Sequence, residues 1–269
     1  MRYLILSFAC LFLVSCSSKD SEAEQDAAAH KEAEALFNET KKNYGNSIET
    51  LLGQIGELVE HSKNYESRER KEKLEPLITF SFPQKKRDDL FPTYENTNSL
   101  ITRFAQDGTK NERPKNGFNE FSELSSNAKK FAGSYSDSAS KNAQYSKKEM
   151  QNLAARAAHY SRNLKYIFIL RETENTYPRL LSGGKFRQGS FRGDLLLFEI
   201  GNNEPLAVSS VNYSPPETVL RETVDVGVVW KLDCAHTETI EAGICEAMKQ
   251  MGSLDGAISS YTTYSPNRQ

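Results

Sequence analysis

The order of hydrophobic periods along this chain predicts an α+β fold: a helical N-terminal half followed by a small antiparallel sheet of three or four strands packed with helices. Three observations carry that expectation. Phe37, Tyr44, Ile48, Leu51, Leu52, Ile55, Leu58 and Val59 recur largely at steps of three, four and seven, which lays them along one helical stripe. Tyr166 to Leu170 and Leu195 to Ile200 are apolar runs of strand length, and the turn-forming cluster Gly201-Asn202-Asn203-Glu204-Pro205 before Leu206 to Tyr213 marks a hairpin. With 38% apolar and 26% charged residues among 269, 15 Gly and 9 Pro, the composition excludes collagen-like, disulfide-dense and multi-span membrane classes.

Along the chain, Ser17 to Ala29 holds four acids, one Lys and nothing more apolar than Ala, so 16–29 reads as a solvated tether. The helical region 30–132 opens with the Phe37 stripe. Gly45, Gly53 and Gly56 interrupt it, each costing about 1 kcal/mol against Ala, so this helix needs a surface to pack on. Pro76 stops it, after the i,i+4 pairs Glu66/Arg70 and Glu69/Lys73. Leu77 to Phe82 reads as a short edge strand or an extended linker. Tyr94 to Gln106, with Leu100, Ile101 and Phe104 and an Asp107-Gly108 stop, reads as an amphipathic helix. So does Phe118 to Phe131, with Phe121, Leu124 and Ala128.

Five Ser in 133–146 mark a linker or long loop. The α+β domain, 147–257, begins at a Ser146-Lys147-Lys148-Glu149 capping box opening a helix with Leu153, Ala154, Ala157, Tyr160 and Leu164 on one face. After the hairpin, Val224, Val226, Val228, Trp230 and Leu232 alternate as a fourth strand does. Ser214-Pro215-Pro216-Glu217 is equally a helix start, so strand and helix both stay open for Thr218 to Leu232. Thr237 or Thr239 would cap a last helix ending near Gly252, and 258–269 is a polar tail expected to fray.

Arg2 and the free amine precede twelve uncharged residues, Tyr3 to Val14. That is short of the roughly 20 a spanning helix needs and suits the apolar core of an export signal. It runs into Leu13-Val14-Ser15-Cys16, which resembles the lipobox of bacterial lipoprotein precursors over residues 1–16 only. The resemblance implies that 1–15 is a cleaved signal peptide and that the Cys16 thiol is diacylated, attaching the chain to the membrane through N-terminal lipid. Ser17, where Asp would retain the protein at the inner membrane, implies sorting to the outer membrane of a Gram-negative envelope. Acyl chains worth ~0.8 kcal/mol per buried CH₂ would make that attachment stable. Without 1–15 the chain keeps 33 basic against 36 acidic residues, so no global field draws it to nucleic acid.

Cys234 and Cys245 are the other cysteines of the mature chain, and an oxidising compartment makes them a disulfide candidate. One helix through both would hold them about 16 Å apart, whereas a disulfide needs Cα atoms within about 4.4 to 6.8 Å. The bond therefore needs the break that a Thr237 cap supplies. The sharper alternative is Cys234 as nucleophile with His236 as base, on one face of an extended strand. Cys234, His236 and Cys245 also offer three zinc ligands without a fourth. His236-Thr237-Glu238 lacks the P-C-x-x-C half of a zinc deaminase, Gly183-Gly184-Lys185 lacks P-loop spacing, and there is no G-x-S-x-G elbow. No cofactor, metal or catalytic residue is expected.

The remaining local signal is charge. Lys165, Arg171, Arg179, Lys185, Arg187 and Arg192 face only Glu172 and Glu174 within Lys165 to Arg192, with Phe186 and Phe191 interleaved. Lys185, Arg187 and Arg192 are the candidate contacts to an anionic partner. The plainer reading is an edge strand whose bases discourage pairing. The expectation is thus an outer-membrane-anchored envelope lipoprotein, a non-enzymatic binding or scaffolding module for an envelope protein or anionic polymer. The alternatives are an envelope hydrolase or thiol enzyme, and a carrier of lipid or small ligands.

Overall fold

Ile167, Phe168, Ile169 and Leu170 are all fully buried, which consecutive strand residues achieve only where both faces of their sheet are covered. The computed structural model describes residues 2–66, 74, 77–83, 93–105, 120–136, 143–180, 186–187, 189–213 and 226–255. In chain order they form α1 (Arg2–Lys63), β1 (Thr79–Ser81), β2 (Ser99–Ala105), α2 (Glu120–Ala132), α3 (Ala143–Asn163), β3 (Tyr166–Thr176), β4 (Arg179–Leu180), β5 (Phe186–Arg187), β6 (Ser190–Glu199), β7 (Ala207–Tyr213), α4 (Val226–Met251) and β8 (Ser253–Asp255). The fold is α+β. Its main sheet has the order β2-β3-β6-β7, with β2 parallel to β3 and the other pairs antiparallel.

Strand alternation divides the core in two. Leu100, Ile167, Ile169, Leu196, Phe198 and Val208 pack against α1 (Phe37, Ile48, Ile55, Leu58), α2 (Leu124, Phe131) and α3 (Leu153, Ala157, Tyr160). Ile101, Phe168, Leu170, Leu195, Leu197 and Val211 pack on the opposite side against Ile240, Ile244, Ala247, Met248 and Met251 of α4, with Phe80 and Phe82 beside them. The first cluster draws residues from Ala33 to Val208, so both halves of the chain share it. Lys147 pairs with Glu32 and the Arg162 guanidinium donates to Tyr44 Oη, which makes α3 run parallel to α1. Lys130 pairs with Glu149, and Arg156 donates to Asn127, which makes α2 antiparallel to α3.

A second, small parallel pair joins β1 to β8. Asn98 ties it to the main sheet: its Oδ1 accepts from Ser81 N and Ser99 Oγ, its Nδ2 donates to Thr79 O, and its own carbonyl accepts from Lys165 N and Tyr166 N. Gly252, between α4 and β8, sits so close to β1 that a Cβ there would lie 2.5 Å from Ile78 O and 2.4 Å from the Phe80 ring. Only a residue without a side chain admits the pairing.

Several elements differ from the sequence expectation. The expected helix Tyr94 to Gln106 is instead β2 over Ser99–Ala105, and it supplies the fourth strand. The spacing of Leu100, Ile101 and Phe104 fits a helical stripe, but it equally serves a strand covered on both faces, with Leu100 and Phe104 on one side and Ile101 on the other. Because β2 runs parallel to β3, the sheet is mixed and not purely antiparallel. Of the two readings open for Thr218 to Leu232, the helical one holds from Val226 onward, the residues before it lying outside the described ones, which leaves Thr237 and Thr239 inside α4 and not at its cap. Ser146 is likewise inside α3 and buried, since that helix already begins at Ala143. Helix α1 stops at Lys63, thirteen residues before Pro76. It also runs through the expected tether, where residues 22–28 are exposed and Ala29 is buried.

Candidate functional site

β3 turns from apolar to charged at Arg171-Glu172, and strand geometry sends these neighbours to opposite faces. Both are buried, at 5% and 0% exposure. On the α4 side, Glu172 forms an ion pair with Arg103 of β2 and accepts from Asn175 Nδ2 at 3.3 Å. On the α1 side, Arg171 Nη2 reaches Asp194 Oδ2 of β6 at 2.7 Å, while its Nη1 donates to Ser62 O and Tyr65 O at 3.0 and 2.7 Å. Ser62 lies in the last turn of α1 and Tyr65 two residues past its end, and Ser62 O also accepts from Tyr65 N at 3.4 Å; carbonyls at a helix C-terminus lack the i+4 donor that interior ones have. Arg171 therefore both caps α1 and fixes Asp194.

A β-bulge follows. The register passes from Glu172 opposite Gly193 to Glu174 opposite Arg192, so Thr173 is the extra residue. A Cβ on Gly193 would lie 2.7 Å from Arg171 O, so the close approach of β3 and β6 here depends on glycine. The bulge returns Glu174 to the face of Arg171. Two rows of polar residues result across β3, β6 and β7, namely Arg171, Asp194 and Ser210, then Glu174, Arg192 and Asn212.

Because α1 has already ended, the outer row is not roofed by that helix, and a groove of about 660 Å³ lies over it. It is lined by Thr173, Glu174, Ser190, Phe191, Arg192, Asp194, Ser210, Asn212 and Tyr213. Several of its polar side chains are held by neighbours. Ser190 Oγ donates to Glu174 Oε1 at 2.9 Å, Ser190 and Thr176 hydroxyls meet at 2.6 Å, and Thr173 Oγ1 donates to Arg192 O at 3.1 Å. Ser210 Oγ reaches Asp194 Oδ1 at 3.5 Å. Its volume lies within the roughly 300 to 1,000 Å³ of small-ligand sites.

The structure brings only part of the expected basic patch to this site. Arg192 is exposed in the groove. Arg171 is withdrawn into the interior, where Asp194 and α1 carbonyls neutralise it, so it is not part of any surface patch. Phe191 is core at 2% exposure. Arg187 belongs to β5, which pairs with β4, and Lys185 lies outside the described residues. No sequence signal separated buried Arg171 and Glu172 from the solvated bases, except that the pair directly continues a fully apolar strand.

Cys234 and Cys245 occupy one uninterrupted helix. Eleven residues at 1.5 Å each span about 16 Å along α4, so a bond between the two within one chain needs α4 broken between them. Cys245 is a free, half-buried thiol, pushed up from its ordinary value by burial, with Lys249 opposing and Glu241 adding to the shift. Cys234 and His236 both lie in α4, not on an extended strand. Among the described residues no group of His, Cys, Asp or Glu is placed to hold a metal ion. Comparison of the chain with protein-family models, with curated proteins and with solved structures returns no match.

Proposed function

We propose that this chain is a lipid-anchored lipoprotein of a Gram-negative envelope whose α+β domain is a binding module for another envelope component. The Leu13-Val14-Ser15-Cys16 tetrad after twelve uncharged residues carries the anchor. Residues 22–28, all exposed, supply a polar spacer between Cys16 and Ala29, where burial begins among the described side chains. The domain presents a polar groove at the far end of its sheet. There the Glu174 carboxylate is engaged by Ser190, and the Asp194 carboxylate by Arg171.

The anchor is tested by growing cells that express the full chain with an alkyne-bearing palmitate, followed by click detection and membrane fractionation. The wild type is expected to carry label and sediment with outer membranes, and Cys16→Ala to lose both. Label on Cys16→Ala, or none on the wild type, would remove the anchor reading. The binding role is tested in the same cells by crosslinking and mass spectrometry. A reproducible partner supports it, and background recovery alone removes it.

A further inference from the structure

The groove's chemistry narrows its ligand. We propose that the two polar rows at the end of the sheet bind an uncharged, hydroxyl-rich oligosaccharide, a step that rests on the binding-module reading. Polyanions fit poorly, because Glu174 and Asp194 both line the groove and Arg192 is the single cation among the described residues that line it, with Arg171 committed beneath it to Asp194 and to the carbonyls of Ser62 and Tyr65. Apolar ligands fit no better, since seven of the nine lining residues, Tyr213 and Phe191 apart, are polar or charged without an aromatic ring.

What remains is a surface that alternates acceptor and donor. Glu174, Arg192 and Asn212 follow one another across three strands as carboxylate, guanidinium and amide, and Asp194 and Ser210 continue the pattern one row further in. Neighbouring strands stand about 4.8 Å apart, and same-face residues on a strand about 6.8 Å. These groups therefore form a lattice of alternating donors and acceptors. Each sugar hydroxyl both donates and accepts, so a pyranose lying on this lattice pairs its ring substituents with both kinds of group, whereas a phosphate satisfies only the donors.

Preorganisation supports the same assignment. The bulge at Thr173 puts Glu174 in line with Arg192, and Ser190 fixes Glu174. Asp194 is set by Arg171, which makes Arg171 a positioning residue and not a contact. Side chains already held lose little freedom when a ligand arrives, a requirement for sugars, whose hydroxyls must be stripped of water for each bond gained.

The test is direct binding of the detergent-solubilised full chain to immobilised neutral oligosaccharides (chitotetraose, maltotetraose, cellotetraose and a galactan) beside heparin and polyphosphate. Calorimetry follows on whatever binds. At least one neutral glycan is expected to bind, with Asn212→Ala and Arg192→Ala each weakening it about 3- to 10-fold and Arg162→Ala, on α3, leaving it unchanged. Both groove residues are exposed, so these variants keep the fold, whereas Asp194→Asn would weaken the buried pair with Arg171; thermal melts verify this. The proposal is overturned if no neutral glycan binds, if only the polyanions do, or if binding ignores both groove substitutions. If glycans fail while crosslinking still recovers a protein partner, the ligand class falls and the binding module stands.

Discussion

Arg171 meets Asp194 at 2.7 Å, and the same guanidinium donates to the carbonyls of Ser62 and Tyr65 at the end of α1. One buried side chain thus closes the long helix, joins two strands and sets a carboxylate at the rim of the groove. Its side chain is 6% exposed and that of Asp194 is 17%, so water does little to replace any of these bonds.

Arg171→Met should accordingly cost about 3 kcal/mol, the scale on which breaking a buried pair strands the remaining charge. Arg171→Lys should fall between, since a compact ammonium keeps the charge but not the fork that reaches three oxygens. Urea unfolding gives the stabilities, and hydrogen exchange over residues 58–65 should speed in the Met variant. Wild-type stability in Arg171→Met would deny the capping role.

Glycines of this chain should respond to Ala in opposite directions. Gly252→Ala places a methyl against Ile78 O and the Phe80 ring, so it should destabilise by roughly 1 to 3 kcal/mol through overpacking. Gly53→Ala and Gly56→Ala meet nothing within 4 Å in α1 and should each stabilise by up to about 1 kcal/mol. Thermal melts of the three variants suffice, and a neutral Gly252→Ala would show that β1 and β8 do not need this close approach.

Asn98→Ala removes the side-chain bonds to Thr79 O, Ser81 N and Ser99 Oγ while leaving the backbone bonds to Lys165 and Tyr166. The expected cost is about 1 to 3 kcal/mol, because Ser81 N loses its acceptor in a half-buried setting. Exchange should accelerate at residues 79–81 and 253–255 more than in β3. Uniform acceleration across the sheet would instead mean that Asn98 supports the whole fold.

Which parts of this architecture the sequence revealed follows from how many faces each element buries. Helix α3 and the β6–β7 hairpin were legible because Leu153, Ala157 and Tyr160 mark one helical side, and Gly201 to Pro205 is dense in turn formers. β2 was not, since a strand covered on both sides loses the alternation that identifies strands, and Leu100, Ile101 and Phe104 then mimic a helix. The groove was partly legible. Arg192 stood out as a base, but Asp194, Asn212 and Ser210 became its neighbours through cross-strand register, and Glu174 through a bulge, neither of which single-strand periodicity encodes. Arg171 was misplaced for a related reason: whether a charge is solvated depends on partners 23 and 109 residues away in Asp194 and Ser62.

Cys245 gives the last prediction, with a definite pH sign. Burial raises its pKa above the ordinary 9.0, Lys249 lowers it and Glu241 raises it, so the folded chain favours the neutral thiol. A group whose pKa is raised on folding adds stability that is whole below its unfolded value and fades as pH climbs through its folded one. The fold should therefore weaken only above about pH 9 on this account, and Cys245→Ser should remove that part of the alkaline dependence. At pH 8 the thiolate fraction is lower than in the denatured chain, so iodoacetamide should label Cys245 more slowly in the native state. Because α4 keeps Cys234 about 16 Å away along the helix, the unreduced chain, once denatured, should take label at both positions. Recovery of a linked peptide pair containing Cys234 and Cys245 from protein alkylated without reductant would require α4 to be broken between them, and would overturn this assignment.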